Sequence, residues 1–206
     1  MNFIDCIAQL EKRFKKPLPG WHAQSRMAPA SRKSNDEYKE LTRDPVKSSV
    51  LVLLYPAKDE TFFLLIERTD GGVHSRQVGF PGGKYETADG NLRNTALRES
   101  EEETGISRKG VKVLGTLSDL YIPASGYRVF PQVGFMEDHP VFKPNPSEVK
   151  NIIEAELKTF LAGGLVKKDT FKTSYGLHEA PYYDYKGYRV WGATSMILSE
   201  FICMLE

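Results

Sequence analysis

Two apolar runs, SSVLVLLY (48–55) and TFFLLIE (61–67), lie either side of the short stretch PAKDE. Both are rich in branched or aromatic residues and bounded by turn formers, so they read as two strands of a sheet joined by a turn. Runs of this length are far too short to span a bilayer, and no membrane is expected as a partner. VKVLGTL and YRVFPQVGFM read as further strands, and TFKTSYG with PYYDYKGYRVW as a hairpin. A helix is expected over roughly 91–104, closed by Gly105 as its C-cap. PSEVKNIIEAELKTFL carries a helical pattern without a clear start, and ATSMILSEFICML reads as a last apolar helix. Strands interrupted by helices at irregular intervals point to a mixed sheet with helices on both sides, an α+β organisation.

Ahead of the first strand, Phe3, Ile4, Ile7, Leu10 and Phe14 recur at three- and four-residue steps and mark an amphipathic helix. Its basic end, KRFKK, suits a helix C-terminus, and Pro17 and Pro19 stop it. Residues 17–47, with Pro17, Pro19, Gly20, Pro29 and Pro45, read as an irregular wrapping segment in which Trp21, Met27 and Tyr38 pack down. The expected division is an N-terminal helix and wrapping segment over 1–47 and one main domain over 48–206, ordinary for a 206-residue chain.

With 28 basic and 27 acidic residues the formal net charge is +1. That balance argues against nucleic acid as the main partner, because the phosphate backbone demands a basic surface. The two cysteines, Cys6 and Cys203, form no CxxC and no zinc-like spacing, which suggests reduced thiols in a cytoplasmic protein. MNFIDCIAQLEKRFKK lacks the basic start, apolar run and cleavage site of a signal peptide.

The chemistry concentrates in FPGGKYETADGNLRNTALRESEEETGI (80–106). On a helix, Glu99, Glu102 and Glu103 stand at i, i+3 and i+4 and share a stripe, with Arg98 four residues before Glu102. Crowded carboxylates repel one another unless a cation neutralises them, and the C-terminal end of a helix disfavours anions further. An oxygen-rich anionic cluster suits a hard divalent ion such as Mg²⁺ or Mn²⁺. A bare ExxEE reads more readily as a solvated acidic face. The PGGK upstream and the RE immediately before the cluster favour the metal.

This segment resembles the Nudix box, G-x5-E-x7-R-E-U-x-E-E-x-G-U, with U an aliphatic residue. Arg98, Glu99, Glu102, Glu103, Gly105 and Ile106 fall on it in order, with Ser100 where an aliphatic residue is usual. The span from Gly83 to Arg98 is one residue longer than standard, and Asp89 is the nearest acidic stand-in for the upstream glutamate. A subgroup, the coenzyme A diphosphatases, carries the same extension and a preceding motif similar to LLIERTDGGVHSRQVGFPGG (64–83), matching at Leu64, Leu65, Arg68, His74, Gln77 and Phe80 to Gly83. Ile66, Thr69, Val73 and Arg76 depart from that motif. The resemblance covers about residues 48–206 and implies a Nudix fold, an α/β/α sandwich with a mixed curved sheet.

What the resemblance implies chemically is hydrolysis of a nucleoside diphosphate derivative by water attack at phosphorus, aided by Mg²⁺ or Mn²⁺. Glu99, Glu102 and Glu103 become the metal ligands, with the Gly83 carbonyl as a further ligand and Arg98 orienting the carboxylates. Glu148, in PNPSEV, is the outside candidate for general base, and an ordinary loop residue otherwise. Arg68 and His74 are candidate substrate contacts; alternatively Arg68 pairs with Glu67 or Asp70, and His74 is structural. The expected small-molecule partner is coenzyme A or an acyl derivative, cut to 3′,5′-ADP and 4′-phosphopantetheine. The alternatives are ADP-ribose, NADH or a dinucleoside polyphosphate as substrate, or a nucleotide-binding sensor without catalysis. A homodimer is left open. GGK is no Walker loop, since Tyr85 stands where Ser or Thr is required.

Overall fold

A computed structural model describes residues 1–41, 44–69, 77–173 and 176–206. Its main sheet contains β1 (Val46–Ala57), β2 (Glu60–Arg68), β3 (Val78–Gly79), β4 (Gly82–Lys84), β5 (Lys112–Thr116), β6 (Leu120–Ile122), β7 (Tyr127–Phe135) and β8 (Val149–Glu156). The order is β3-β2-β1-β7-β5, with β4 added to β1, β6 to β7 and β8 to β2. β1 and β7 run parallel while the other pairs are antiparallel, so the sheet is mixed as expected. The turn between β1 and β2 is tighter than PAKDE suggests. Ala57 pairs with Glu60, and Lys58 and Asp59 both adopt positive φ, the two-residue geometry that follows strand twist.

The first apolar run is continuous because β1 is buried on both faces. Leu51, Leu53 and Tyr55 pack with Ala96 and Ile106, whereas Val52 and Leu54 join Cys6, Leu10, Met196 and Phe201. The helices are α1 (Phe3–Arg13), α2 (Trp21–Gln24), α3 (Asn35–Leu41), α4 (Leu92–Thr104), α5 (Leu157–Leu161) and α6 (Gly192–Cys203). α4 thus covers one face of the sheet and α1 with α6 the other, which is the layered α+β arrangement. Among the described residues no helix is long and apolar enough to cross a membrane.

Four expectations need correction. Ile4 is 79% exposed, because the buried seam of α1 runs through Cys6, Ile7 and Leu10 and leaves Ile4 outside it. The segment 17–47 is less irregular than its prolines suggest. It carries α2 and α3. The fully buried Glu200 of α6 accepts from Gly20 N (3.1 Å), Gln24 Nε2 (2.8 Å) and Ser118 N (3.2 Å), and Asn35, the first residue of α3, donates to Gln24 Oε1 (2.9 Å). In PSEVKNIIEAELKTFL, residues 149–156 form β8 rather than helix. Val149, Ile153 and Ala155 are buried there while Lys150 and Glu154 are exposed; pairing with β2 overrides the local helix propensity up to Glu156, and the expected helix is kept only as the short α5. Finally, the C-terminal hairpin is a three-stranded antiparallel sheet of β9 (Val166–Thr173), β10 (Gly176–Tyr185) and β11 (Tyr188–Trp191). Phe171 of β9 stacks on Trp191 of β11 with ring centroids 4.2 Å apart.

Candidate active site

α4 opens with Asn91, whose side chain accepts from Asn94 N, and closes on Gly105 at φ +73. Gly105 is required twice, since a Cβ there would also lie 2.7 Å from the Lys143 carbonyl oxygen. The C-terminal end of α4 does not leave its carbonyls to water. Those of Glu103 and Thr104 accept from Asn145 N (2.9 Å) and Lys143 N (2.8 Å). This docks the loop after β7 on the helix and carries Glu148 toward the acidic stripe, where it repels both Glu99 and Glu103.

The stripe itself is graded. Glu103 is 1% exposed and Glu102 is 55% exposed, with Glu99 between them at 17%. The β4 backbone supplies the wall: Gly82 N donates to Glu103 Oε2 at 2.8 Å, and a Cβ on Gly83 would lie 2.6 Å from Glu99 Oε1. Burial pushes the Glu103 carboxyl up to about 7, against the opposing pull of Arg68 and the Gly82 N–H. Burial also raises Glu99, with Arg98 opposing it and Glu102 and Glu148 adding to it.

Arg98 uses its whole guanidinium fork to hold this geometry. Nε donates to Asp89 Oδ1 (2.7 Å), Nη1 to Glu102 Oε2 (2.9 Å), and Nη2 reaches Glu99 Oε1 (3.0 Å) and the Lys84 carbonyl (3.1 Å). Asp89, buried at the end of the turn Thr87–Asp89, also accepts from Thr95 Oγ1 and Glu86 N. Its carboxyl is held well below the usual range, first by the Arg98 hydrogen bond. The extra residue before Arg98 is thus accommodated in a turn that seats Asp89 against the helix.

Arg68 does not turn to Glu67, which instead binds Lys150 (2.9 Å) and Asn151 (2.6 Å). The β2–β8 register shifts between these two residues, and Arg68 reaches inward to Glu103 Oε1 (2.9 Å) and the Gly82 carbonyl (3.0 Å). Sequence reasoning missed this pair, as it missed Gly82 N and the capping of α4 by residues 143 and 145. Only the shared motif around Arg68 hinted at it. His74 lies outside the described residues.

Among the described residues no three acidic, His or Cys side chains form a ready-made metal cluster. The reason is visible in the ion pairs: Glu102 is drawn outward by Arg98 and Glu103 is satisfied by Arg68. The donor chemistry nevertheless fits a hard cation. Glu99 and Glu103 are carboxylates forced together against desolvation, next to a glycine backbone that leaves room for their oxygens.

The NUDIX domain family model matches residues 45–162, more than half of the chain. The chain belongs to the NUDIX domain family. It is 35% identical over 162 residues to an uncharacterised Nudix hydrolase, NudL, of Photorhabdus laumondii, covering 79% of this chain and 86% of that one. It is 32% identical to Nudix hydrolase 22, chloroplastic, of Arabidopsis thaliana over 75% of this chain, but spans only 53% of that relative's length. In fold it is similar to the MutT protein from Methanosarcina mazei Go1, with a TM-score of 0.51 at 18% identity over 79% of this chain and 96% of that one. Nudix hydrolases generally need a divalent metal.

The buried glutamate of this Nudix site predicts an unusual pH dependence of stability. With its carboxyl raised from 4.5 to about 7, Glu103 binds its proton more tightly in the folded chain than in the unfolded one. Metal-free protein is therefore expected to lose stability as pH rises from about 4.5 to about 7, by up to about 3 kcal/mol. A divalent ion that took Glu103 as a ligand would bind the deprotonated form, so added Mg²⁺ or Mn²⁺ is expected to offset the loss, increasingly so at higher pH. Urea midpoints at pH 5, 6, 7 and 8, in chelator and in metal, test this. A flat chelator series contradicts the burial of that charge.

Proposed function

We propose that this Nudix domain is a divalent-metal-dependent pyrophosphohydrolase that cuts the diphosphate of coenzyme A or an acyl derivative into 3′,5′-ADP and the 4′-phosphopantetheine product. The observation that carries the reaction class is the Glu103 carboxylate, buried between Gly82 N and Arg68, with Glu99 beside it over Gly83. What supports coenzyme A is the resemblance of residues 64–83, together with the one-residue extension that brings Asp89 onto Arg98. Cys6 and Cys203 are free thiols, in keeping with a cytoplasmic setting.

In this reading Glu99, Glu102 and Glu103 hold Mg²⁺ or Mn²⁺, with the Gly83 carbonyl as a further donor. Such an ion would supply charge neutralisation at the phosphate oxygens and a lowered pKa of water. Arg98 keeps the carboxylates in register and stays out of contact with substrate. Arg68, paired with Glu103 at 2.9 Å, is the residue this reading gives to a substrate phosphate. Glu148 is exposed and close enough to feel Glu99 and Glu103 electrostatically, and it accepts the proton of the attacking water. His74 contributes a substrate contact.

The test is a hydrolysis panel in Mg²⁺ and in Mn²⁺ containing coenzyme A, acyl-coenzyme A, ADP-ribose, NADH and dinucleoside polyphosphates, with products identified. Coenzyme A or its acyl form is expected to have the highest kcat/KM and to release 3′,5′-ADP. Faster turnover of another member transfers the assignment to that substrate. Binding with no turnover of any member makes the chain a sensor.

A further inference from the structure

The turn PNPSEV (144–149), which brings Glu148 to the acidic stripe, is built around Asn145. The prolines on either side of it have no N–H to give, and Pro146 keeps the residue before it out of helical backbone. Asn145 N donates to the Glu103 carbonyl (2.9 Å), and the Asn145 carbonyl accepts from Glu148 N (3.1 Å) and Val149 N (2.8 Å). The turn is also tied to the end of β2. Thr69 N donates to the Glu148 carbonyl (3.0 Å) and Thr69 Oγ1 to that of Ser147 (2.9 Å). The backbone of Glu148 is thus fixed between the end of α4 and the residue that follows Arg68.

Its side chain has less to hold it. Glu148 is exposed, and Glu99 and Glu103 repel it. A long side chain in that position gains freedom and loses repulsion by turning its carboxylate to water. Among the described residues one side chain donates to that carboxylate: Asn145 Nδ2, 3.4 Å from Glu148 Oε1. The direction of this amide is set by its other end. Asn145 Oδ1 accepts from Ser147 N (3.1 Å) and Ser147 Oγ (2.8 Å), which closes an Asx turn and leaves the NH₂ group facing Glu148. An aspartate could close the same turn with one oxygen, but it would set the other against Glu148. The position therefore uses both ends of an amide, the acceptor for the turn and the donor for the carboxylate.

We propose that Asn145 is a positioning residue for the hydrolysis, its amide fixing the Glu148 carboxylate beside the acidic stripe while its backbone N–H fixes the turn on the carbonyl of Glu103. The proposal rests on the reading of Glu148 as the group that takes the proton of the attacking water. It adds that one residue sets this base against the helix carrying the proposed metal ligands, so that losing the amide lowers kcat and spares KM.

The test compares Asn145→Asp and Asn145→Ser with the native chain, using the best substrate of the hydrolysis panel. Both variants keep an oxygen for Ser147 N; the aspartate cannot donate to Glu148 and the serine cannot reach it. Each is expected to lower kcat at least about tenfold, with KM and urea midpoint close to native. In a Glu148→Gln background either substitution should cost no more than about twofold further, because the group it positions is already gone. The full loss in that background, a loss confined to the charged Asn145→Asp, a change in KM alone, or native kcat overturns the proposal. A second readout needs no turnover. In the metal-free chain labelled with ¹³C at its glutamate carboxyls, the Glu148 resonance, identified by its absence from Glu148→Gln, should shift in both Asn145 variants, and an unmoved resonance overturns the proposal. Native turnover by Glu148→Gln removes Glu148 as the base, while a resonance that moves leaves the hold of Asn145 on that carboxylate standing. An inactive Glu148→Gln with an unmoved resonance does the reverse.

Discussion

Glu103→Gln is expected to lower turnover by at least about 10³-fold, equivalent to about 4 kcal/mol of lost transition-state stabilisation. The substitution preserves the shape of the side chain and an oxygen that can accept from Gly82 N, now 2.8 Å from Oε2. It removes the negative charge that a cation needs and that Arg68 Nη1 meets at 2.9 Å. The variant therefore separates charge from packing. Its metal-free stability should no longer fall between pH 5 and 7, because no carboxyl remains there to titrate, and added Mg²⁺ should stabilise it little. Glu101→Gln is the control on the same helix. Glu101 turns away to Arg108, 3.2 Å from its Nε, and its loss should change turnover by no more than about threefold. Initial rates with the panel's best substrate, alongside urea midpoints, measure both. A Glu103→Gln enzyme with native turnover removes Glu103 from the reaction.

What local sequence carries was legible. Gly105 follows a helical run, and a left-handed closure is what a glycine there permits. The β1 and β2 runs read as strands because branched and aromatic residues crowd there, and their double-sided burial explains why they do not alternate. The i, i+3, i+4 spacing put three glutamates on one stripe, but spacing cannot say how deep each one sits. That grading comes from β4, which packs on α4 and closes over Glu103 while leaving Glu102 in water. Contacts between distant segments were beyond local reading. Arg68 meets Glu103 through a strand register shift, and Glu148 arrives because two backbone N–H groups of its loop cap α4. β8 was misread for the same reason: pairing with β2 makes 149–156 a strand, and the helical pattern is realised only from Leu157, in α5.

The adjacent glycines Gly82 and Gly83 are predicted to fail in different ways when given a methyl group. Gly82 has φ +148, a conformation that L-residues rarely adopt, and a Cβ there would lie 2.5 Å from Val50 Cα and closer still to the Ser49 carbonyl oxygen. Those are backbone atoms of β1 paired with β4, Val50 opposite Gly82 and Ser49 opposite Gly83. They cannot yield without separating the strands. Gly82→Ala is therefore expected to cost at least about 3 kcal/mol, through strain and overpacking together. It also pulls the Gly82 N–H from Glu103 and its carbonyl from Arg68, so any folded fraction should be inactive. At Gly83 the obstruction is the carboxylate end of Glu99, which can swing aside. Gly83→Ala should keep nearly native stability and lose turnover, because the displaced group is a proposed metal ligand. Thermal melts and rates on the two variants decide this. A Gly82→Ala protein that melts like the native chain contradicts the backbone geometry of β4, whereas an active Gly83→Ala protein contradicts the role given to Glu99. The first glycine is thus a requirement of the fold and the second a requirement of the chemistry, although they are neighbours in one short strand.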